Sequence, residues 1–259
     1  MIRIWTCLLC SGMLLAGCGE SDEHVAKQRK DLKSESPGIR ARAAEEIGKA
    51  GARAVRSSMR QLVVAIKDDS PSVRSMAAQS LGQVPPEQAS EVVPVLGEAL
   101  GDADATVRRK AALALSKIGP AAAPAAGQLS KMLSNGDHKD GWWATEALGR
   151  LGPQAGVALD GLIEQLKSPV TRNRSRAAWA IGNIGPSAVS AVEQLAALTS
   201  DPDAAVRMCA VTSLGQIGPG AASARGAVQA LLRDPIADIR GSAARALKQI
   251  DGVKVGLQE

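Results

Sequence analysis

One sequence pattern recurs seven times along this chain, at a spacing of 33 or 34 residues. Its reference point, here called the arginine position, is followed three residues later by Ala and seven residues later by Leu or Ile. Six copies have arginine there and the fourth copy has Gly141; the six are Arg40, Arg74, Arg108, Arg174, Arg207 and Arg240. Because every copy must adopt the same local structure and pack on its neighbours, this regularity predicts a stacked repeat array.

Each copy reads as an amphipathic helix. Apolar residues stand one residue before the arginine position and three, seven and ten residues after it, which is one face of a helix of about four turns. Residues suited to helix N-caps precede the pattern: Ser36, Ser70, Asp104, Asp137 and Asp203. Gly-Pro pairs end four copies, at Gly119, Gly152, Gly185 and Gly218. A second helix follows each copy, such as 188–199, and neither helix can bury its apolar face alone.

The composition supports a closely packed helical array. The chain has no Phe or Tyr but 46 Ala, so its core must consist of many small contacts. Its 45% hydrophobic content excludes a disordered chain, and its 22% charged content excludes a polytopic membrane protein. The net charge of +5 is spread along the chain and forms no dense basic stripe, so we expect no nucleic acid partner.

The pattern resembles the HEAT repeat, particularly the short bacterial form that is also found in phycobilin lyase subunits. Aspartates six residues before the arginine position match the Asp…Val-Arg pattern of that family: Asp68, Asp102, Asp201 and Asp234. The resemblance implies an all-α, right-handed α-solenoid of seven HEAT-like helical hairpins, spanning residues 24–251 and followed by a tail at 252–259. It also implies that these aspartates and the six arginines form a ladder linking neighbouring repeats.

The first residues resemble a bacterial lipoprotein signal. A positive start and a short apolar stretch lead to Leu15-Ala16-Gly17-Cys18, which is similar to a lipobox. This resemblance implies a signal peptide at 1–17, a lipid on Cys18 and a short tether at 18–23. Because Gly follows the cysteine instead of Asp, analogy with lipoprotein sorting favours the outer membrane, facing the periplasm.

Two enzymatic relatives of such repeats offer an alternative function. Deoxyhypusine hydroxylase is HEAT-like and holds iron with His-Glu pairs, whereas His24 and His138 here are followed by Val and Lys. Phycobilin lyases handle a cytoplasmic pigment, which fits an exported chain poorly. We therefore expect no metal, no cofactor and no catalysis, and keep an enzyme or enzyme subunit as the alternative. The single cysteine beyond the lipobox, Cys209, is interpreted as a free thiol.

Copies four and five depart from the pattern, with Asp140 and Asn173 at a position that is Val or Ile elsewhere. Positions two, five and nine after the arginine position lie opposite the apolar face, and in HEAT-like proteins that side lines the concave surface. They form a candidate protein-binding patch: Trp143, Trp179, Arg176, Arg150, Lys110, Lys117, Glu146 and Asn183. The alternative is that Trp142 and Trp143 fill a gap between repeats where Asp140 disrupts packing.

Together these patterns predict a monomeric, non-catalytic scaffold that binds an envelope protein or peptide and is held at the membrane by its lipid. Contact of the basic cluster at 172–176 with phospholipid headgroups stays open, as does a spacer role without a defined ligand.

Overall fold

The computed structural model describes residues 22–134 and 138–252. The predicted signal peptide, Cys18, most of the tether, the predicted cap Asp137 and the tail from residue 253 onward lie outside the described residues. The chain is already helical at residue 22, two residues before the predicted start of the repeat array.

The described residues form fourteen α-helices, paired into seven hairpins. Their bounds are α1 (22–31), α2 (Pro37–Lys49), α3 (Ala52–Ala65), α4 (Pro71–Leu81), α5 (Ala89–Ala99), α6 (Ala105–Ile118), α7 (Ala126–Leu133), α8 (His138–Leu151), α9 (Leu159–Gln165), α10 (Thr171–Ile184), α11 (Val192–Leu198), α12 (Ala204–Ile217), α13 (Arg225–Ala230) and α14 (Ala237–Ile250).

The helices form two layers. The even layer, α2 to α14 in even numbers, carries the arginine positions, and each of its helices packs on the next even helix. The odd-numbered helices form the second layer, and one buried apolar core runs between the layers along the array. The predicted α-solenoid is therefore confirmed.

The Gly-Pro pairs act as the sequence predicts. Gly119, Gly152, Gly185 and Gly218 have φ between 65° and 76°, the left-handed conformation that ends a helix with least strain at glycine. The second helices begin later than predicted, however. Residues Gly185–Ala191 form a 3-10 segment in which Ala188 has φ −87° and ψ 26°, so the α-helix starts only at Val192 and not at 188.

The predicted N-caps divide into two kinds. The carboxylates of Asp104 and Asp203 each accept hydrogen bonds from two backbone amides of the helix start. The serine prediction is wrong in part, because Ser36 and Ser70 occupy the N-cap position without a side-chain cap. A proline follows each serine and removes one of the amides that would need a partner.

Small residues bring the even helices together. Eight residues after the arginine position stand Gly48, Gly82, Gly149, Gly182 and Gly215. A Cβ atom added at Gly82 would lie 2.6 Å from the backbone Cα of Ala114 in the next even helix. The backbone that glycine leaves open is also used for hydrogen bonds, as Gln83 Nε2 donates to the carbonyl of Gly48 at 2.8 Å.

The arginines link successive repeats through paired hydrogen bonds. Arg40 donates to both carboxylate oxygens of Asp68, from Nε at 2.7 Å and from Nη2 at 2.8 Å. Its Nη1 donates to the carbonyls of Ser34 and Glu35 in the preceding loop. One guanidinium thus holds its own loop and the loop of the next repeat.

The same geometry recurs along the array, in the pairs Arg74–Asp102, Arg174–Asp201 and Arg207–Asp234. Arg240, in the seventh copy, donates to the carbonyls of Asp234 and Pro235, so it holds its own loop, and among the described residues it has no aspartate of a following repeat to pair with. Arg108 pairs with a different carboxylate, described below.

The ladder changes the ionisation of its aspartates. Hydrogen bonds from the arginines lower the pKa of Asp68, Asp102 and Asp234 below the usual value. At Asp201 burial raises the pKa, but the hydrogen bonds from Arg174 and from the amide of Asp203 outweigh it, and the net pKa is lowered.

We predict that Gly82→Ala lowers the free energy of unfolding by about 1–3 kcal/mol, because the new methyl group meets backbone that cannot move cheaply. Gly127→Ala is the matched control, since a Cβ there meets nothing within 4 Å. It should be neutral or stabilise the chain by up to about 1 kcal/mol. Urea unfolding measures both, and equal effects of the two variants would contradict the close approach.

We also predict that stability falls on acidification. The folded-state pKa values of the ladder aspartates lie below the unfolded value of about 3.9, so their contribution is complete above about pH 4 and is lost as the pH falls through the lower folded values. Thermal unfolding at a series of pH values measures this. Asp102→Asn removes one titrating group and should flatten the acid limb, whereas an unchanged limb would contradict the ladder's role.

Candidate functional site

At the junction of copies three and four, an aspartate within a helix replaces the usual loop aspartate of the ladder. Arg108 donates from Nε to Asp140 Oδ2 at 2.7 Å, and Arg109 donates from Nε to Asp140 Oδ1 at 2.6 Å. The Asp140 side chain is fully buried. Asp140 thus takes the place of the usual ladder aspartate at this junction, and its charge is neutralised by two guanidinium groups.

The next junction lacks both partners of the usual pair. Gly141 replaces the arginine of copy four, and Ser168 stands where the loops before copies two, three, six and seven have Asp. The Ser168 hydroxyl accepts a hydrogen bond from the amide of Val170 at 3.2 Å, as the ladder aspartates do from the amide two residues ahead. The loop keeps its turn, and neither an arginine nor an aspartate is left without a partner at this junction.

Three tryptophans and two arginines cluster beside this junction, on α8 and α10. The rings of Trp142 and Trp143 meet edge to face, with centroids 4.4 Å apart and planes at 83°. The guanidinium of Arg172 lies 4.5 Å from the Trp142 ring centre. The guanidinium of Arg176 lies 5.7 Å from the Trp142 ring and 5.2 Å from the Trp179 ring, so it connects the two aromatic groups.

The candidate patch differs from the prediction in the exposure of its tryptophans. Trp143 and Trp179 are half-buried and pack against the core, whereas their positions opposite the apolar face predict exposed side chains. The ring of Trp179 occupies the space that Gly149 leaves open, because a Cβ at Gly149 would overlap that ring. Because Gly149 has no side chain, α8 leaves room for the large ring of Trp179 on α10.

Three charged members of the patch are paired with one another. Glu146 contacts Arg150 at 3.2 Å and Arg176 at 3.0 Å, and the two guanidinium groups lie near the Trp179 ring. Asn183 donates from Nδ2 to the carbonyl of Gly149 at 3.1 Å. These residues therefore form one connected network.

The two lysines of the patch lie on α6, apart from this network. Lys110 donates to Gln79 Oε1 of α4 at 2.6 Å, and Lys117 is exposed. The structure thus brings six of the eight predicted residues together around Trp142 and Trp179.

A cavity of 550 Å³ opens between α8 and α10, beside the cluster. Its walls include Trp142, Trp143, Arg172 and the buried Asn173. The predicted patch omitted Trp142, Arg172 and Asn173. The sequence did contain signals for two of them. Asn173 is a polar residue at a position that is apolar in most copies, and Arg172 belongs to the basic cluster at 172–176.

No group of three or more His, Cys, Asp or Glu side chains among the described residues is placed to hold a metal ion. Burial raises the pKa of the Cys209 thiol, so it stays protonated at neutral pH and is a poor nucleophile. His24 is exposed on α1.

Across the two stretches that the structure describes, no helix is both long and apolar enough to cross a membrane.

Comparison with known proteins places these repeats in a family. The family model for HEAT repeats matches residues 25–92, 59–149 and 159–248. No curated protein sequence was found to be similar to the chain.

Three solved structures share the fold. A HEAT-like repeats protein from Thermococcus onnurineus NA1 superposes with a TM-score of 0.59 at 17% identity, covering 88% of this chain and 97% of that chain. A designed armadillo repeat protein in complex with the peptide (KR)4 gives 0.57 at 16% identity, covering 87% and 99%. The complex of CpcE and CpcF of phycocyanin lyase from Nostoc sp. PCC7120 gives 0.50 at 26% identity, covering 90% and 94%.

We predict that Asp140→Ala lowers the free energy of unfolding by about 3 kcal/mol, because it leaves two guanidinium groups beside a buried, uncharged site. Glu164→Ala is the control, since its ion pair with Lys167 is more than 60% exposed and should contribute at most about 0.5 kcal/mol. Chemical denaturation compares the two. A loss at Asp140 no larger than at Glu164 would show that the rebuilt junction does not stabilise the array.

Proposed function

Because this chain belongs to the HEAT-repeat family, we propose that it is a non-catalytic scaffold that binds a protein partner on the solvent side of its even layer. A repeat array of this kind presents one continuous, rigid surface to a partner. The observation that carries the proposal is the aromatic and arginine cluster on α8 and α10, since Trp and Arg are the residues most enriched at the centres of protein interfaces.

Two structural neighbours support a partner of polypeptide chemistry. The designed armadillo protein holds a peptide, and CpcE and CpcF form a complex with each other. The rigidity of the cluster also favours binding, because Trp179 is held over Gly149 and Arg176 is held by Glu146. Side chains that are already ordered lose less conformational entropy when a partner binds.

We place this scaffold in the bacterial envelope. The lipobox-like Leu15-Ala16-Gly17-Cys18 supports cleavage before Cys18 and its lipidation, with the repeat array held close to the membrane. Gly19 favours the outer membrane, with the array facing the periplasm.

A second candidate function is supported by the likeness to the phycocyanin lyase complex, namely an enzyme subunit that holds a pigment. The aromatic and arginine cluster on α8 and α10 favours the scaffold over this candidate. Pigment or iron retained by the purified protein would reverse that preference.

The experiment compares membranes of a bacterial host expressing the full chain with those expressing variants. Cys18→Ala should release the protein from the membrane fraction. Trp143→Ala/Arg176→Ala should lose a partner that copurifies with the parent in mild detergent, and that partner should bind the purified parent directly.

The matched control is Val157→Ala, in the 3-10 segment before α9, where the side chain is 70% exposed. It should keep the partner, and thermal unfolding checks that the variants fold. The proposal fails if the double variant and the parent bring down the same proteins, or if Cys18→Ala remains at the membrane.

A further inference from the structure

The buried amide of Asn173 has no hydrogen-bond partner for its Nδ2 atom. The residue is only 5% exposed and lies at the position that is a buried Val in copies two, three and six. A buried donor without a partner destabilises a folded chain relative to an apolar residue of similar size. Such a residue at a core position points to a role other than packing.

A second donor without a partner lies beside the same cavity. Trp142 Nε1 is buried and lacks a hydrogen-bond acceptor, and both Trp142 and Asn173 line the cavity between α8 and α10. Both N–H groups are closed to solvent but belong to side chains at the wall of one cavity, so an acceptor that enters the cavity can satisfy both when these side chains turn toward it.

The charge of the cavity selects the acceptor. Among the described residues, the charged side chains that line the cavity are the basic Arg109, Lys139 and Arg172. Arg109 already pairs with Asp140, whereas Arg172 is exposed at the rim and stacks on the Trp142 ring at 4.5 Å. The basic lining of the cavity therefore favours an anion over a neutral acceptor.

The remaining walls are apolar. Trp142 and Trp143 present aromatic surface, and Val170 at the rim is 42% exposed. An anionic group that enters here must therefore carry apolar groups next to it, which a polypeptide provides and a free inorganic anion does not.

We propose that this cavity binds a carboxylate of a partner polypeptide that has apolar side chains beside it. The carboxylate accepts hydrogen bonds from Asn173 Nδ2 and Trp142 Nε1 and faces the guanidinium of Arg172, while the apolar neighbours pack on the two tryptophans. The proposal rests on the proposed scaffold function and names what the scaffold recognises. The carboxylate belongs either to an Asp or Glu side chain or to the C-terminus of the partner.

The test follows the indole N–H resonances of the ¹⁵N-labelled full chain by NMR, with the Trp142 resonance assigned from Trp142→Phe. The probes are acetyl-Leu-Glu-Leu-amide for a side-chain carboxylate and acetyl-Leu-Leu-Leu with a free C-terminus. Acetyl-Leu-Gln-Leu-amide is the neutral control and inorganic phosphate the non-peptide anion. Each is added to roughly 10 mM, which largely fills a site of about millimolar affinity.

At least one carboxylate peptide should shift the Trp142 resonance in a saturable way, and which one does so identifies the source of the carboxylate. The glutamine peptide and phosphate should bind at least about tenfold more weakly, which corresponds to one hydrogen-bonded charge. Equal shifts from the glutamine peptide or from phosphate, or no shift from either carboxylate peptide, would overturn the proposal.

Asn173→Val separates binding from folding. It restores the residue found in copies two, three and six, so it should keep or raise the melting temperature. The affinity for the carboxylate peptide should fall at least about tenfold. A structural role for Asn173 would instead lower the melting temperature and leave binding unchanged. Gln83→Ala, which removes the bond to the Gly48 carbonyl at another junction, is the matched amide control and should keep peptide binding.

The two proposals fail in different ways. If the parent captures its envelope partner and Asn173→Val captures it equally well, the carboxylate cavity is wrong and the scaffold stands. If the carboxylate peptide binds in the cavity but no partner depends on the even layer, the cavity stands and the proposed scaffold function is wrong.

Discussion

The array depends on an arginine that holds two loops at once. In a typical copy, one guanidinium donates to two carbonyls of its own loop and to both carboxylate oxygens of the next loop, as Arg74 does with Asp68, Asp69 and Asp102. The planar group fixes the directions of these bonds, which a lysine could not do. Successive hairpins are therefore set at a defined angle, and the small residues between the even helices then allow them to approach closely.

The junctions around copy four show how this constraint can be altered without loss of the fold. The carboxylate moves into the helix at Asp140, where Arg108 reaches it, and the following junction lacks both Arg and Asp. Around these junctions lie the tryptophans, Arg172 and the polar Asn173. Where the repeated interaction is absent, side chains that do not serve packing can occupy core positions. The proposed binding site and the break in the repeat thus coincide for a physical reason.

Much of the fold could be predicted from local chemistry. The spacing of apolar residues predicted the even helices, and the Gly-Pro pairs predicted where four of them end, because both depend on φ and ψ preferences within a few residues. The sequence predicted the caps less accurately where a side chain has two possible hydrogen-bond partners. The hydroxyl of Ser70, for example, bonds the hydroxyl of Ser72 and not a helix amide. Local reasoning also missed the 3-10 segments, since the proline after glycine delays α-helical hydrogen bonding by several residues.

The sequence by itself determined the period of the array, the apolar face of each copy and the residue types of the ladder, because these are set by the helical repeat and by what each residue can bond. The tertiary structure alone decided which carboxylate pairs with Arg108 and that the Trp179 ring fills the space beside Gly149. It also decided that Asn173 borders a cavity. Each of these depends on contacts between residues about thirty positions apart or on the space left between helices. Such contacts follow from the packing of neighbouring helices, which no window of the sequence contains.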